Sequence, residues 1–170
     1  MAKSHKNRGM DFEKTFTEKC NSLKQDNKRK ILISKVPTEM KMIRGAGGRI
    51  VNAFAVSKDQ TDFVDFCGVS NGNAICFELK STENKTSFPF ANIKKSQIDF
   101  LDKWIEYGGI GFYLIRFAYH QKVFMVEATY MHHVIANIDR KSVKYETCLE
   151  DEKFIELDYI KLNFEDYIGE

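Results

Sequence analysis

The sequence contains no run of about 18 apolar residues, the length that a membrane span requires, and the stretch Met1 to Gly9 (MAKSHKNRG) has no apolar segment that could serve as a secretion signal. Neither a membrane span nor export is expected, and a cytoplasmic location is. The four cysteines, Cys20, Cys67, Cys76 and Cys148, form no C-x-x-C pair, so neither a zinc knuckle nor a disulfide framework is expected; reduced, packed thiols are. His132 and His133 are adjacent, cannot share one helix face and make a poor metal site. Gly45 to Gly48 precede no G-K-[ST], which argues against a P-loop. Internal repeats and low-complexity segments are absent. An excess of charge of one sign is also lacking, since the formal net charge is only +2.

What is present is enough for one domain over residues 1–170: 43% hydrophobic and 13% aromatic residues supply a core, and 29% charged residues of both signs argue against intrinsic disorder. The small net charge conceals a gradient. Residues 1–50 hold thirteen basic and five acidic residues, a net +8, whereas residues 145–170 hold two basic and nine acidic ones, a net −7. Such asymmetry points to a polyanion-binding half, with an acidic tail that is either solvated or faces a protein; two solvated surfaces would give the same tally.

Phe12, Phe16, Cys20 and Leu23 recur at helical spacing, so a helix is expected from about Asp11 to Lys24. The basic, glycine-rich passage from Met40 to Val56 reads as two extended arms around a flexible tip. Phe63 to Val69 and Ala74 to Lys80 carry β-type signals and flank Asn71-Gly72, a strong hairpin signal. Ile98, Leu101, Trp104 and Ile105 mark a second helix that ends at Gly108-Gly109, followed by strands at Ile110 to Ala118 and Lys122 to Val126 and a short helix near Thr129 to Ile138. Phe88-Pro89-Phe90 is expected to pack on the sheet. The order implies a mixed α/β layer architecture, with a helix behind a sheet of about four or five strands.

The chemistry concentrates in Asp65 to Lys80, DFCGVSNGNAICFELK. On a strand, Glu78 and Lys80 project from one face while Phe77 and Leu79 are buried on the other. A hairpin closed at Asn71-Gly72 places opposite one another residues whose numbers sum to about 143, which brings Asp65 near Glu78. Two adjacent carboxylates repel unless a cation lies between them, and hard oxygen ligands suit Mg²⁺ or Mn²⁺. A neighbouring lysine can orient a water and stabilise charge on a pentacoordinate phosphorus. The bland alternative is a cross-strand salt bridge on an exposed sheet face.

Asp65 followed by Glu78-Leu79-Lys80 has the form of the PD-(D/E)xK nuclease signature. The longer segment TDFVDFCGVSNGNAICFELKSTENKTSFPFANIKKSQIDFL resembles the core of the RecU family of Holliday junction resolvases, and Asn7-Arg8-Gly9-Met10 with Glu13 is similar to that family's opening. The resemblance spans roughly residues 7 to 127. It implies a restriction-endonuclease-like core, a mixed β-sheet flanked by helices, with a protruding basic stalk over about residues 41–58. It implies Asp65, Glu78 and Lys80 as catalytic residues, with Asp65 and Glu78 as ligands of Mg²⁺, for which Mn²⁺ would substitute. Glu13 would be the acid supplied by the first helix and Gln97 would face the site from the second; an exposed helix residue and a surface glutamine are the plain alternatives. Asp62 also precedes a phenylalanine, but the Asp-aromatic-x-Gly pattern favours Asp65.

The same resemblance implies DNA contacts from Arg8, Lys41, Arg44 and Arg49, with basic groups neutralising phosphates; Asn84-Lys85-Thr86 fits a glycosylation sequon, but without a secretion signal it reads as a loop whose Lys85, Thr86 and Ser87 contact phosphate. The resemblance implies a homodimer that makes paired symmetric nicks in four-way branched DNA, with other recombination proteins as further partners. Gly45-Ala46-Gly47-Gly48 departs from the more lysine-, proline- and alanine-rich stalk of the family, which bears on junction selectivity more than on catalysis. Two other activities fit the same residues: a nuclease of the superfamily acting on other branched or duplex DNA, and a protein that holds branched DNA without cutting it.

Overall fold

A computed structural model describes residues 5–25, 30–37, 40–55, 63–137, 139–158, 161 and 164–168. The amphipathic stripe read in the sequence forms helix α1, His5–Gln25, which starts earlier than expected. Phe12, Phe16, Cys20 and Leu23 are all buried along it. The strands of the main sheet are β1 (Ile31–Lys35), β4 (Phe66–Ser70), β5 (Asn73–Thr82), β7 (Ile110–Phe117), β8 (Lys122–Glu127) and β10 (Phe154–Leu157). They lie in the order β1-β4-β5-β7-β8-β10. Only β5 and β7 run parallel, and the remaining pairs are antiparallel. Among the described residues the sheet thus has six strands, more than the four or five expected.

Alternation along the central strands divides the core into two faces. Phe77, Leu79, Phe112 and Leu114 join the α1 residues in one cluster. Cys76, Tyr113, Ile115 and Phe117 point the other way, into a cluster with Leu101 of α2 (Lys95–Glu106) and Met131 of α3 (Ala128–Asn137). Helices therefore cover both faces, not one. Phe77 is the hub of the first cluster. Its ring stacks on Phe66 at 5.3 Å and on Phe112 at 4.6 Å, and Phe16 meets it edge-on at 5.5 Å. Aromatic pairs of this kind add about 0.5–1.5 kcal/mol each beyond the area they bury.

The hairpin predicted at Asn71-Gly72 is present. Both residues have positive φ, 50° and 89°, as a type I′ turn demands. The register Phe66↔Phe77, Cys67↔Cys76, Gly68↔Ile75 is the one the sum of 143 anticipates.

The basic glycine-rich passage forms β2 (Met40–Arg44) and β3 (Ile50–Ala55), which, among the described residues, pair only with each other. Its tip is a closed turn rather than a loose one. Gly45 N–H donates to Arg49 O at 2.9 Å, Arg44 donates to Gly48 O at 3.1 Å, and Gly47 and Gly48 take φ of 79° and 75°. Residues 56–58 of the expected stalk, and Asp62, lie outside the described residues.

Two expectations need correction. Cys67 and Cys76 are not packed thiols: they form a disulfide across the hairpin, with Cα atoms 4.2 Å apart. Nine residues separate them in sequence, but antiparallel pairing makes them direct neighbours. Cys20 and Cys148 are the buried free thiols expected. The acidic tail, in turn, is neither a solvated nor a partner-facing appendage in its apolar parts. β10 adds an edge strand beside β8, and Phe164 is fully buried against Phe16 and Phe77. Of its acidic residues, Glu156 and Asp158 are exposed, whereas Glu165 is buried and pairs with Lys19. Two further short strands, β6 (Ser87–Pro89) and β9 (Ser142–Lys144), pair with each other, and helix α4 follows at Tyr145–Glu150. Phe88 and Phe90 are buried, as expected.

Candidate active site

Asp65 immediately precedes β4, and Glu78 and Lys80 lie on β5 with their side chains on the α2 face of the sheet. Asp65 is 9% and Glu78 2% exposed, so the pair is not the solvated salt bridge of an open sheet face. Each carboxylate is held by the other's strand. The Asp65 backbone N–H donates to Glu78 Oε2 at 2.9 Å, and the Leu79 N–H donates to Asp65 Oδ2 at 3.0 Å. These reciprocal bonds continue the β4–β5 ladder with side-chain acceptors and lock both carboxylates.

The motif glycine has a packing reason. A Cβ at Gly68 would stand 2.1 Å from the Leu32 carbonyl oxygen, so the close approach of β1 requires glycine there. Asp-Phe-Cys-Gly therefore combines a site carboxylate, a core aromatic, a cross-linked cysteine and a strand contact.

Helix α2 closes the site. Gln97, at its third position, accepts the Lys94 backbone N–H at 3.1 Å and so completes one half of a capping box. The same Oε1 accepts from Lys80 Nζ at 2.8 Å, while Nε2 donates to Glu78 Oε1 at 2.5 Å. Lys80 Nζ also donates to Glu78 Oε1 at 3.0 Å. Gln97 is thus buried and facing the carboxylates rather than on the surface. Behind it, Asp102 of α2 accepts from or pairs with His132 of α3 at 2.7 Å, and the other ring nitrogen of His132 meets the buried Tyr113 hydroxyl at 2.8 Å. Burial, then the nearby charges of Glu78 and Asp102, hold the Tyr113 hydroxyl far above its ordinary value. This network ties both helices to β7.

Asp65, Glu78, Lys80 and Gln97 line one cleft of about 170 Å³ together with Phe12, Glu13, Leu79, Ser81 and Lys94. Glu13 therefore reaches the site from α1, where it forms an ion pair with Lys35 at the end of β1. Lys35 and Lys94 were not singled out in the sequence. Lys35 has no local signal, because the packing of α1 on β1 brings it near Glu13. Lys94 is signalled only by its place before a helix.

Of the residues read as DNA contacts, the described ones do not line the cleft. Arg44 and Arg49 are exposed at the tip of the β2–β3 hairpin, and Lys85 and Thr86 are exposed in the loop after β5, with Ser87 half-buried. The side chains of Arg8 and Lys41 lie outside the described ones.

Among the described residues, no three His, Cys, Asp or Glu side chains converge tightly enough to form a metal cluster. The buried donors at the base of the cleft are two carboxylates with Glu13 at its wall, an all-oxygen set. That set fits a hard divalent cation that keeps several waters, as Mg²⁺ does.

The chain matches the family model described as RecU, Recombination protein U, over residues 7–169. The chain belongs to the RecU family. The match reaches past the segment recognised by motif and takes in the C-terminal strand and Phe164. Among its relatives is a protein of Shouchella clausii named Holliday junction resolvase RecU, 33% identical over 84% of this chain and 70% of its own length. A protein of the same name from Oceanobacillus iheyensis is 34% identical over 72% of this chain and 62% of its own length, and one from Bacillus thuringiensis is 30% identical over 90% and 75%. The solved structure of Hjc from Archaeoglobus fulgidus, described as a Holliday junction resolvase, aligns over 92% of this chain and 88% of its own with a TM-score of 0.40 and 10% identity. Among the described residues, no helix is long and apolar enough to cross a membrane.

Proposed function

We propose that this chain is a structure-selective endodeoxyribonuclease that resolves Holliday junctions by hydrolysing one phosphodiester on each of two opposed strands. Family membership supports the substrate, and the observation that supports the chemistry is the buried Asp65/Glu78 pair with Lys80 and Gln97 in one cleft. Asp65 and Glu78 would hold Mg²⁺, with Mn²⁺ as a substitute; such an ion polarises the phosphate and lowers the pKa of a bound water. Lys80 is oriented by bonds to Glu78 and Gln97, which use two of its three N–H donors, so the third is available to the attacking water or the phosphate. Gln97 keeps Lys80 and Glu78 in register by bonding both. Glu13, paired with Lys35, supplies further negative charge at the cleft wall. In-line attack would leave a 5′-phosphate and a 3′-hydroxyl.

The exposed Arg44 and Arg49 at the tip of the β2–β3 hairpin, with Lys41 on its first arm, would act as the stalk that engages the centre of the junction, while Arg8 of α1 and Lys85, Thr86 and Ser87 after β5 would contact phosphates of the flanking duplex. The single domain would work as a homodimer, because paired nicks on opposed strands match a two-fold assembly. Its place is the cytoplasm, alongside recombination proteins.

The test incubates the protein with a four-way junction, a flap and linear duplex, in Mg²⁺, Mn²⁺ or EDTA. Symmetric nicks confined to the junction, lost in EDTA and lost by about 10³-fold in Asp65→Asn with junction binding retained, are expected. Equal cutting of linear duplex would refute junction selectivity, and binding without cutting in either metal would refute catalysis.

A further inference from the structure

Strand β5 carries Glu78 and Lys80 in the cleft and ends at Thr82, about 13 Å beyond Glu78 at some 3.3 Å per residue. There the Thr82 carbonyl accepts the Ala118 N–H at 2.9 Å, which fastens the turn between β7 and β8 to the end of the site strand. That turn presents Tyr119, whose side chain is 58% exposed. An exposed tyrosine is ordinary by itself, but this ring is held from two sides. Lys85 Nζ lies over it at 4.1 Å, and the ring of His120 meets it edge-on at 5.1 Å.

His120 is fixed in turn. Its ring stacks on Tyr145 at 3.8 Å and 3°, and its Nε2 bonds the Lys85 carbonyl at 2.7 Å. Gln121 takes a positive φ of 53° to close the turn, and the Tyr145 N–H donates to Thr86 O at 2.9 Å. Three segments that are remote in sequence are thereby tied around one exposed aromatic ring and one exposed ammonium. Lys85, on the Tyr119 ring, is the cation in direct contact with it, and the charges acting on the Tyr145 that His120 stacks on include Lys122, Glu156 and Glu146.

We infer that Tyr119 is a base-stacking residue which, with Lys85 beside it on a phosphate, grips the DNA strand as it leaves the catalytic cleft. The inference rests on the nuclease reading above, and it adds a residue from a turn that the sequence marks only as a link between strands. The occupant is argued from the ring's place at the end of the strand that carries Glu78 and Lys80, since the span from Glu78 to Thr82, about 13 Å, is roughly four nucleotides of helical rise, and from the pairing of a π-face with a cation. A preorganised aromatic and a phosphate-binding charge are the two elements of sequence-tolerant strand binding. Unpaired or frayed nucleotides near a branch point expose the base face that such a ring requires.

The experiment measures binding of a fluorescent four-way junction to the full chain in EDTA, across a salt series, for wild type, Tyr119→Ala, Tyr119→Phe and Lys85→Ala. Circular dichroism melts confirm that each variant is folded. Tyr119→Ala should weaken binding by about 5- to 100-fold while leaving the dependence of log Kd on log salt as in wild type. Tyr119→Phe should bind within about twofold of wild type, and Lys85→Ala should weaken binding and reduce the salt slope by about one. A Tyr119→Ala protein that binds like wild type overturns the inference. So does one that loses salt slope as Lys85→Ala does, because the ring would then only place the lysine. A wild-type chain that does not bind the junction overturns the proposed function itself.

Discussion

Lys80 and Gln97 show why the site is more than a pair of acids. Lys80 touches Glu78 and Gln97, and Gln97 touches Lys80, Glu78 and the start of its own helix. Lys80→Met should therefore lower the single-turnover cleavage rate by about 10²- to 10³-fold, and Gln97→Ala by about 10- to 100-fold, both with junction affinity near wild type in EDTA. The cysteines make a second prediction. Denatured without reductant, the chain should titrate two thiols, from Cys20 and Cys148, and after reduction four. Burial pushes both free thiols from an ordinary 9.0 up to about 12. The folded chain thus keeps them protonated where the unfolded chain ionises. Their contribution to stability is complete below pH 9 and is lost as the pH rises toward 12, which denaturant melts at stepped pH would register.

The β4–β5 hairpin is the element on which everything else depends. It sets Asp65 against Glu78, joins Cys67 to Cys76, and presents Phe66 and Phe77 to α1. Its fit to β1 tolerates no side chain at Gly68, so Gly68→Ala should cost about 1–3 kcal/mol in urea denaturation and also shift Lys35 away from Glu13, reducing cleavage. An Ala variant with wild-type stability would mean that β1 moves freely. This hairpin was the most legible part of the chain, because period-two alternation and Asn-Gly together determine both pairing and register. The same arithmetic that paired residue 65 with 78 also pairs 67 with 76, so the disulfide was latent in the numbering. Spacing along the chain hides it; only pairing across the turn makes the two cysteines neighbours.

For the whole molecule, the charge gradient along the sequence becomes a division of labour. The basic first third supplies α1 and the exposed arginines of the β2–β3 hairpin, while the acidic last part is woven into the sheet edge. Junction binding should fall linearly in log–log form with salt, by about 0.9 per phosphate neutralised; a flat response would remove the hairpin and loop as phosphate contacts. Phe164→Ala should cost about 3–5 kcal/mol, read from equilibrium unfolding, because Phe164 fills the space among Phe16, Phe77 and Phe112. A truly solvated tail would show almost no change.

Local rules determined what could be read directly: the helical stripe of α1, the Asn-Gly hairpin, the common face of Glu78 and Lys80, and the motif that marks the family. Each follows from a period or a turn within one short window. The tertiary structure alone decided which distant groups meet. Glu13 reaches the cleft because α1 lies across the sheet, Gln97 because α2 caps itself beside Lys80, and the β7–β8 turn that carries Tyr119 meets the end of the site strand because Thr82 holds it. It also decided the fate of the tail, whose alternating acidic and apolar residues suit either a solvated strand or an edge strand. Only the unfilled space beside Phe77 and the open edge of β8 favour the second.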